Sequence, residues 1–307
     1  MSTAVITGPT GAIGTALIDE LATHGYEVYA VCREKSTRMN CIPNHPLVHI
    51  VACDVQRIDN LLHLISAPCD VFFHFAWVGV YGNDRDNLFG QNENVRFTLQ
   101  AVEVAKALGC HTFVGAGSQS EYGVTDMALT PDHPTFPESG YGVAKLSAGL
   151  FSRLRCQQLG MHHVWCRVLS VYGPRDGETS IIMRLIRKLL SKEHMPLTMG
   201  EQVWDYLYSK DAGLAFRLAA EKGKNGAIYV LGSGSSRRLC EYFAAVRDAI
   251  DPKLTLGFGE VPYYPHQAIH LEADISNLTA DTGFLPQYAF EEGIQETIDW
   301  VRNHPVK

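Results

Sequence analysis

Residues 7–14, TGPTGAIG, constrain this chain more than any other stretch. They join an apolar run, 4–7 (AVIT), to a segment, 13–24, whose Ile13, Leu17, Ile18 and Leu21 recur at helical spacing. A glycine turn between a strand and a helix has a specific use. Gly8 permits the tight turn, Gly11 lets the backbone approach phosphate oxygens, and Gly14 lets the helix pack closely on the sheet. The helix N-terminus adds unpaired N–H groups and the positive end of its dipole. The turn therefore predicts a dinucleotide pyrophosphate held by Gly8, Thr10, Gly11, Ala12, Ile13 and Gly14, although the spacing is G-x-x-G-x-x-G rather than G-x-G-x-x-G.

The same rhythm continues. Apolar runs at 27–32, 48–53, 71–75, 112–115 and 163–168 read as strands, and 60–66, 92–108 and 142–159 read as helices. Near-continuous apolar strands alternating with amphipathic helices predict an α/β fold, a doubly wound parallel sheet covered on both faces. After about residue 170 the pattern loosens into a helix at 180–191, a segment 203–208 (VWDYLY), a helix at 211–221, a strand at 227–231 and a final helix at 290–303. With no repeat or low-complexity linker, a second, smaller mixed α/β lobe interleaves with the first. The expected division is 1–170 plus about 208–232 for the dinucleotide domain, and 171–207 with 233–307 for the substrate lobe.

Composition removes several classes of function. A net charge of -7 offers no basic surface for nucleic acid. No apolar run approaches the length of a membrane span and no leader pattern opens the chain, so a soluble cytoplasmic protein with a small-molecule partner is expected. The eight cysteines are scattered singly, as buried free thiols in a reducing compartment would be, and the thirteen histidines form no metal pattern, so no metal site is expected.

The end of the second strand bears on the choice of dinucleotide. An acidic residue there would bind the adenosine ribose and repel a 2′-phosphate. This chain has Cys32 followed by Arg33, with Lys35 and Arg38 nearby, which favours NADP(H) and leaves NAD(H) possible through Glu34. Asp54, just after the third strand, is placed to meet the adenine edge.

Tyr141 and Lys145 are four residues apart on a helix, hence on one face, where the ammonium can lower the phenol pKa toward working range. A second pair, Tyr206 and Lys210, lies in an alternating strand-like run ahead of Asp211, read as a helix cap, and is taken as structural. Only the first pair follows a strand ending in GAGSQS (115–120), a natural place for a hydroxyl at the carboxyl edge of a parallel sheet.

Together these blocks resemble the extended short-chain dehydrogenase/reductase family, in its NAD(P)-dependent epimerase/dehydratase branch acting on nucleotide sugars, built on a Rossmann fold. The likeness spans almost the whole chain: 7–14, Asp54-Val55, His74 to Ala76, Asn94, Ser118 with 121–123 (EYG), Tyr141 with Lys145, 167–174 (RVLSVYGP), 204–211 (WDYLYSKD), 232–234 and 273–276. The resemblance implies Tyr141 as the acid/base on a sugar hydroxyl or ketone, Lys145 holding the nicotinamide ribose and tuning Tyr141, and Ser118 hydrogen-bonding the reacting oxygen. It adds Val55, Phe75, Ala76, Trp77, Asn94 and Val168 to the cofactor site. For the substrate it implies Trp77, Val78, Tyr81, Gln119, Ser120, Thr179, Ser180 and Arg184. Relatives dimerise through the helices read here at 92–108 and 142–159, so a homodimer is expected.

Departures from the family pattern narrow the chemistry. Family dehydratases carry Asp-Glu after the catalytic hydroxyl, and this chain has Gln119-Ser120, which do not titrate. Trp204 and Tyr264 stand where relatives often carry a diphosphate-gripping Arg. The wording is closest to nucleotide-sugar 4-ketoreductases of deoxysugar biosynthesis, which implies NADPH-dependent reduction of a 4-keto group. A nucleotide-sugar 4-epimerase with tightly bound NAD is the alternative. A non-catalytic NADP-binding regulator is a third reading, opposed by the intact Ser118, Tyr141 and Lys145.

Overall fold

The computed structural model describes residues 2–263 and 268–304; Tyr264 and Pro265, singled out in the sequence, lie outside the described residues. Seven parallel strands form the main sheet, in the order β3 (Val48–Ala52), β2 (Glu27–Cys32), β1 (Thr3–Thr7), β4 (Val71–His74), β5 (Thr112–Ser118), β6 (His162–Val168) and β9 (Ala227–Leu231). Alternate residues of each strand enter opposite cores. Ile6, Phe73 and Val114 pack with Leu17 of α1 (Ala12–Thr23) and Phe216 of α6 (Ser209–Lys222). Val5, Phe72 and Phe113 pack with Phe97 and Ala101 of α3 (Leu88–Ala107) and Cys156 of α4 (Gly140–Gln158). Both faces are dry, which is why these strands read as continuous apolar runs rather than alternating ones.

The strand order reverses at β1, whose neighbours are β2 and β4, so a crevice opens beyond their carboxyl ends. The glycine turn fills its floor. Gly8 has φ +72°, and a Cβ there would stand 2.8 Å from the Ala76 nitrogen, while a Cβ at Gly14 would stand 2.5 Å from the Gly8 oxygen. Backbone conformation and close approach both require glycine here.

The second lobe is built on β8 (Val203–Tyr208). It pairs parallel with β7 (Ser170–Tyr172) and β11 (His270–Leu271), and antiparallel with β10 (Ser236–Arg238). Three helices cover it: α5 (Ile181–Leu190), α7 (Leu239–Ile250) and α9 (Phe290–Asn303), with Ile186, Val246, Ile294 and Ile298 buried against Tyr206 and Tyr242. The chain returns to the first lobe between these elements, because Leu278 of α8 (Ser276–Thr282) and the following Phe284 sit in the core of the α1 and α6 face.

Several boundaries differ from those expected, each for a local reason. Helix α3 starts at Leu88, not 92, because the Asn87 side chain caps it by accepting from the Gly90 N–H. The segment expected as a helix at 60–66 is a 3-10 turn, Val55–Asn60, followed by the single helical turn α2 (Leu61–Leu64). Asp211 does not cap α6. It lies inside the helix, buried, and its carboxylate accepts from the Gln287 and Tyr288 N–H groups, tying the lobes together. The alternative pair also separates: Tyr206 is buried in the second core, while Lys210 pairs with Glu296 at the surface. All eight cysteines are unpaired thiols, and no described helix is long and apolar enough to cross a membrane.

Candidate active site

Strand β5 runs three residues further than its sequence pattern suggested and delivers Ser118 at its end. There the chain turns sharply. The Ser118 hydroxyl accepts from the Ser120 N–H at 3.2 Å, and the Ser118 N–H donates to Glu121 Oε1 at 2.9 Å. Glu121 is fully buried and its carboxylate is fully used: Oε1 also accepts from the Trp165 indole at 3.0 Å, and Oε2 from Arg167 Nε at 2.7 Å. Arg167 in turn lies over the Tyr122 ring, 4.4 Å from its centroid. Thus the Glu-Tyr-Gly block acts as an anchor that fixes the serine from below, with each buried polar atom of the carboxylate satisfied.

Helix α4 begins at Gly140, capped by the Ser139 hydroxyl, which accepts from the Gly142 N–H. Tyr141 is therefore in the first turn and Lys145 one turn on, both buried. Burial pushes the Tyr141 pKa above the ordinary value, while the neighbouring Ser118 hydroxyl and the charge of Arg85 draw it back down. Burial draws the Lys145 ammonium down to about 7, against the opposing pull of Glu121. Lys145 does share a face with Tyr141, but its Nζ donates to the Ala116 carbonyl at 2.7 Å and lies 3.7 Å from the Trp77 ring centroid, against 5.8 Å from that of Tyr141.

A cavity of about 350 Å³ opens above these groups, between the lobes. Ser118, Gln119, Ser120 and Tyr141 form one wall and Leu169, Tyr172, Ile182, Trp204 and Tyr206 another, with Tyr81, Asp176 and Ser180 completing it. Of the substrate contacts expected from sequence, Tyr81, Gln119, Ser120 and Ser180 are brought together here. Val78, Thr179 and Arg184 do not line the cavity. Thr179 and Arg184 are exposed, Arg184 because the inward face of α5 is taken by Ile182, Met183, Leu185 and Ile186. The backbone of Val78 is held by the side chain of Asn94.

One residue enters that the sequence did not single out, Arg85, which reaches in from the loop after β4. Trp204, in place of the usual arginine, donates its indole N–H to the Ser170 hydroxyl at 2.8 Å, making a flat aromatic wall rather than an anion grip.

The dinucleotide crevice carries its own test of fit. A Cβ at Gly11 would meet nothing within 4 Å, and α1 opens there with no side-chain cap and no acidic residue in its first turn. That leaves space and free N–H groups where a pyrophosphate binds. Phe75, packed on Phe216, and Ala76 close the far side of the turn, though their N–H groups are already used by the Thr7 hydroxyl. Val168, paired with Ser118 across β5 and β6, lies on the same edge. Asn94 is a correction: it is buried, and its amide is spent on Val78 N–H and C=O, so it secures the loop instead of facing the crevice.

Beyond β2 and β3, Arg33, Lys35 and Arg57 surround a cavity of about 420 Å³ together with Glu34, Asp54, Gln56 and Asn60. Arg38 does not line this cavity; its guanidinium donates to the Arg175 carbonyl. Arg57 supplies the third cation instead.

A glycine-turn helix N-terminus and a Ser, Tyr and Lys cluster carried by one parallel sheet define a dinucleotide-dependent enzyme, and the particular family follows directly. The chain belongs to the NAD dependent epimerase/dehydratase family, whose model matches residues 4–232. It is 26% identical to the UDP-glucose 4-epimerase of Mycolicibacterium smegmatis, over 97% of this chain and 98% of that protein. It is 25% identical to a trifunctional UDP-glucose 4,6-dehydratase/UDP-4-keto-6-deoxy-D-glucose 3,5-epimerase/UDP-4-keto-L-rhamnose-reductase of Arabidopsis thaliana; the match covers 98% of this chain and 47% of that protein, about half its length. Among solved structures, the UDP-N-acetylglucosamine 4-epimerase from Methanobrevibacter ruminantium, in complex with UDP-N-acetylmuramic acid, superposes with a TM-score of 0.88 at 25% identity and covers 98% of both chains.

Proposed function

We propose that this enzyme reduces the 4-keto group of a nucleotide-linked (deoxy)sugar with NADPH. The observation that carries the proposal is the trio Arg33, Lys35 and Arg57 around one cavity beyond the crevice, a charge set suited to a 2′-phosphate and to a cofactor that exchanges at every turnover. When bound, the reduced nicotinamide supplies a hydride. Tyr141 gives its proton to O4, Ser118 donates a hydrogen bond to the same oxygen, and Lys145 holds the ribose while its charge favours the phenolate left behind. Gln119 and Ser120, at the positions where dehydratases carry an acid pair, leave no second proton-transfer group for expelling water. The aromatic wall of Tyr172, Trp204 and Tyr206 encloses the sugar and sheds solvent.

In titrations followed by nicotinamide fluorescence, the wild type should bind NADPH more tightly than NADH. Arg33→Ala should weaken NADPH about ten- to a hundredfold, the value of a charge-assisted hydrogen bond, and leave NADH nearly unchanged. A wild type that prefers NADH would overturn the cofactor assignment. Loss of reduced-nicotinamide absorbance on adding a nucleotide 4-keto-6-deoxyhexose tests the reaction itself.

The second reading, a 4-epimerase that keeps its cofactor as NAD, is favoured by the names of the relatives and by Arg38, whose guanidinium is engaged by the Arg175 carbonyl instead of the Arg33 cavity. It expects NAD to copurify and no net NADPH use. In either case the exposed Phe89, Val143, Leu150, Phe151 and Leu154 on α3 and α4 form the expected face between two copies. Light scattering at the mass of a single chain would refute that dimer.

A further inference from the structure

The geometry points to Arg85 as a second, permanent cation that stabilises the Tyr141 phenolate beside Lys145. The inference rests on Tyr141 being the proton-transfer group. The Arg85 guanidinium lies over the phenol ring, 4.5 Å from its centroid, and donates through one nitrogen to the Ser120 hydroxyl at 3.0 Å. Among the described residues lining the cavity it is the one cation, and no described carboxylate lies within ion-pair distance of it. An unneutralised charge on the wall of a catalytic cavity, half out of water, acts at short range with little screening.

Its placement is built, not incidental. The loop that carries Arg85 is pinned to α3 by the Gln91 amide, which donates to the Gly79 carbonyl at 2.7 Å and to the Asp84 carbonyl at 2.9 Å, and by the two Asn94 bonds to Val78. The next residue but one on the same turn, Asn87, caps α3, and Asp86 between them accepts from the Gly140 N–H at the start of α4. Arg85 and Tyr141 are thus held by the same joint between the loop and the catalytic helix.

The other groups around the phenol do not replace this charge, Lys145 acting from farther off, 5.8 Å from the ring centroid. On its own helix, Lys145 is turned to Ala116 and Trp77; from β5, Ser118 offers a hydrogen bond and Glu121 an opposing negative charge; from the Arg85 loop, Tyr81 is neutral and Asp86 is occupied by Gly140. With Lys145 drawn down to about 7, its ammonium is also partly discharged in the range where the enzyme would work, whereas a guanidinium keeps its charge.

The test needs no substrate. Tyrosinate absorbance is titrated in the full-length protein, and the curve of a Tyr141→Phe variant is subtracted to isolate Tyr141. Removing the cation in Arg85→Gln should move that ionisation upward by about two pH units, the size expected of a unit charge about 5 Å away at an effective dielectric constant of about 20. Arg85→Lys, which keeps the charge, should recover most of the shift. A Tyr141 titration in Arg85→Gln that superimposes on the wild type would overturn the inference. So would an equal shift in Arg85→Lys, because that would assign the effect to lost packing and not to charge. If the proposed reduction were wrong but Tyr141 still ionised under Arg85 control, the two results would separate cleanly.

Discussion

Tyr141→Phe is expected to lower turnover of a nucleotide 4-keto sugar by about a hundred- to ten-thousandfold, the usual worth of one positioned proton donor. The reason is local. The phenol is buried, beside the Ser118 hydroxyl and without a neighbouring group able to replace it: Gln119 and Ser120 do not titrate in the working range, and Lys145 is committed to the Ala116 carbonyl. Affinity for NADPH should change by only a few-fold, because the glycine turn and the Arg33 cavity are untouched. Rapid-mixing measurements of nicotinamide oxidation with saturating substrate would check the result. Turnover within a few-fold of wild type would remove Tyr141 from the mechanism.

Glu121→Ala should have the largest effect on stability, about 3–5 kcal/mol, because it leaves Arg167 buried without a counter-charge. Arg167 Nε donates to Glu121 at 2.7 Å, both side chains are almost wholly buried, and the same carboxylate holds the Trp165 indole and the Ser118 N–H. Urea denaturation followed by tryptophan fluorescence would measure the loss. Glu121→Gln keeps the shape and one acceptor but removes the charge, so it should destabilise less and still misplace Ser118, lowering turnover in the protein that remains folded. Equal stability of Glu121→Ala and the wild type would mean that water or a rotated side chain neutralises Arg167.

The first lobe was largely legible because its signals are short-range. Apolar runs such as those of β1 and β4 can only be strands covered on both faces, and the glycine turn can only sit between strand and helix. The Ser118, Tyr141 and Lys145 set was equally accessible, since each lies at the end or first turns of a regular element. What the sequence did not yield depends on long loops meeting in space. Arg85 is 56 positions from Tyr141 in a loop of unremarkable composition, and only the pinning by Gln91 and Asn94 brings it there.

In the second lobe, α7 was passed over although Leu239, Tyr242, Phe243 and Val246 have helical spacing, because the residues around it follow no regular alternation. β10 and β11, with three residues and two, carry too little pattern to be read at all. Arg38 and Arg57 exchanged places for a similar reason: proximity along the chain to Arg33 says nothing about which way a loop folds.

The interleaving of the lobes limits how this molecule can open. The chain leaves the seven-stranded sheet after β6, comes back through α6 and β9, leaves again for β10 and α7, returns with α8, and departs a last time into α9. A door hung on so many posts along its width does not come away at one hinge. Cutting the chain between its lobes would therefore yield no independent half, since segments from both ends of the cut share one core.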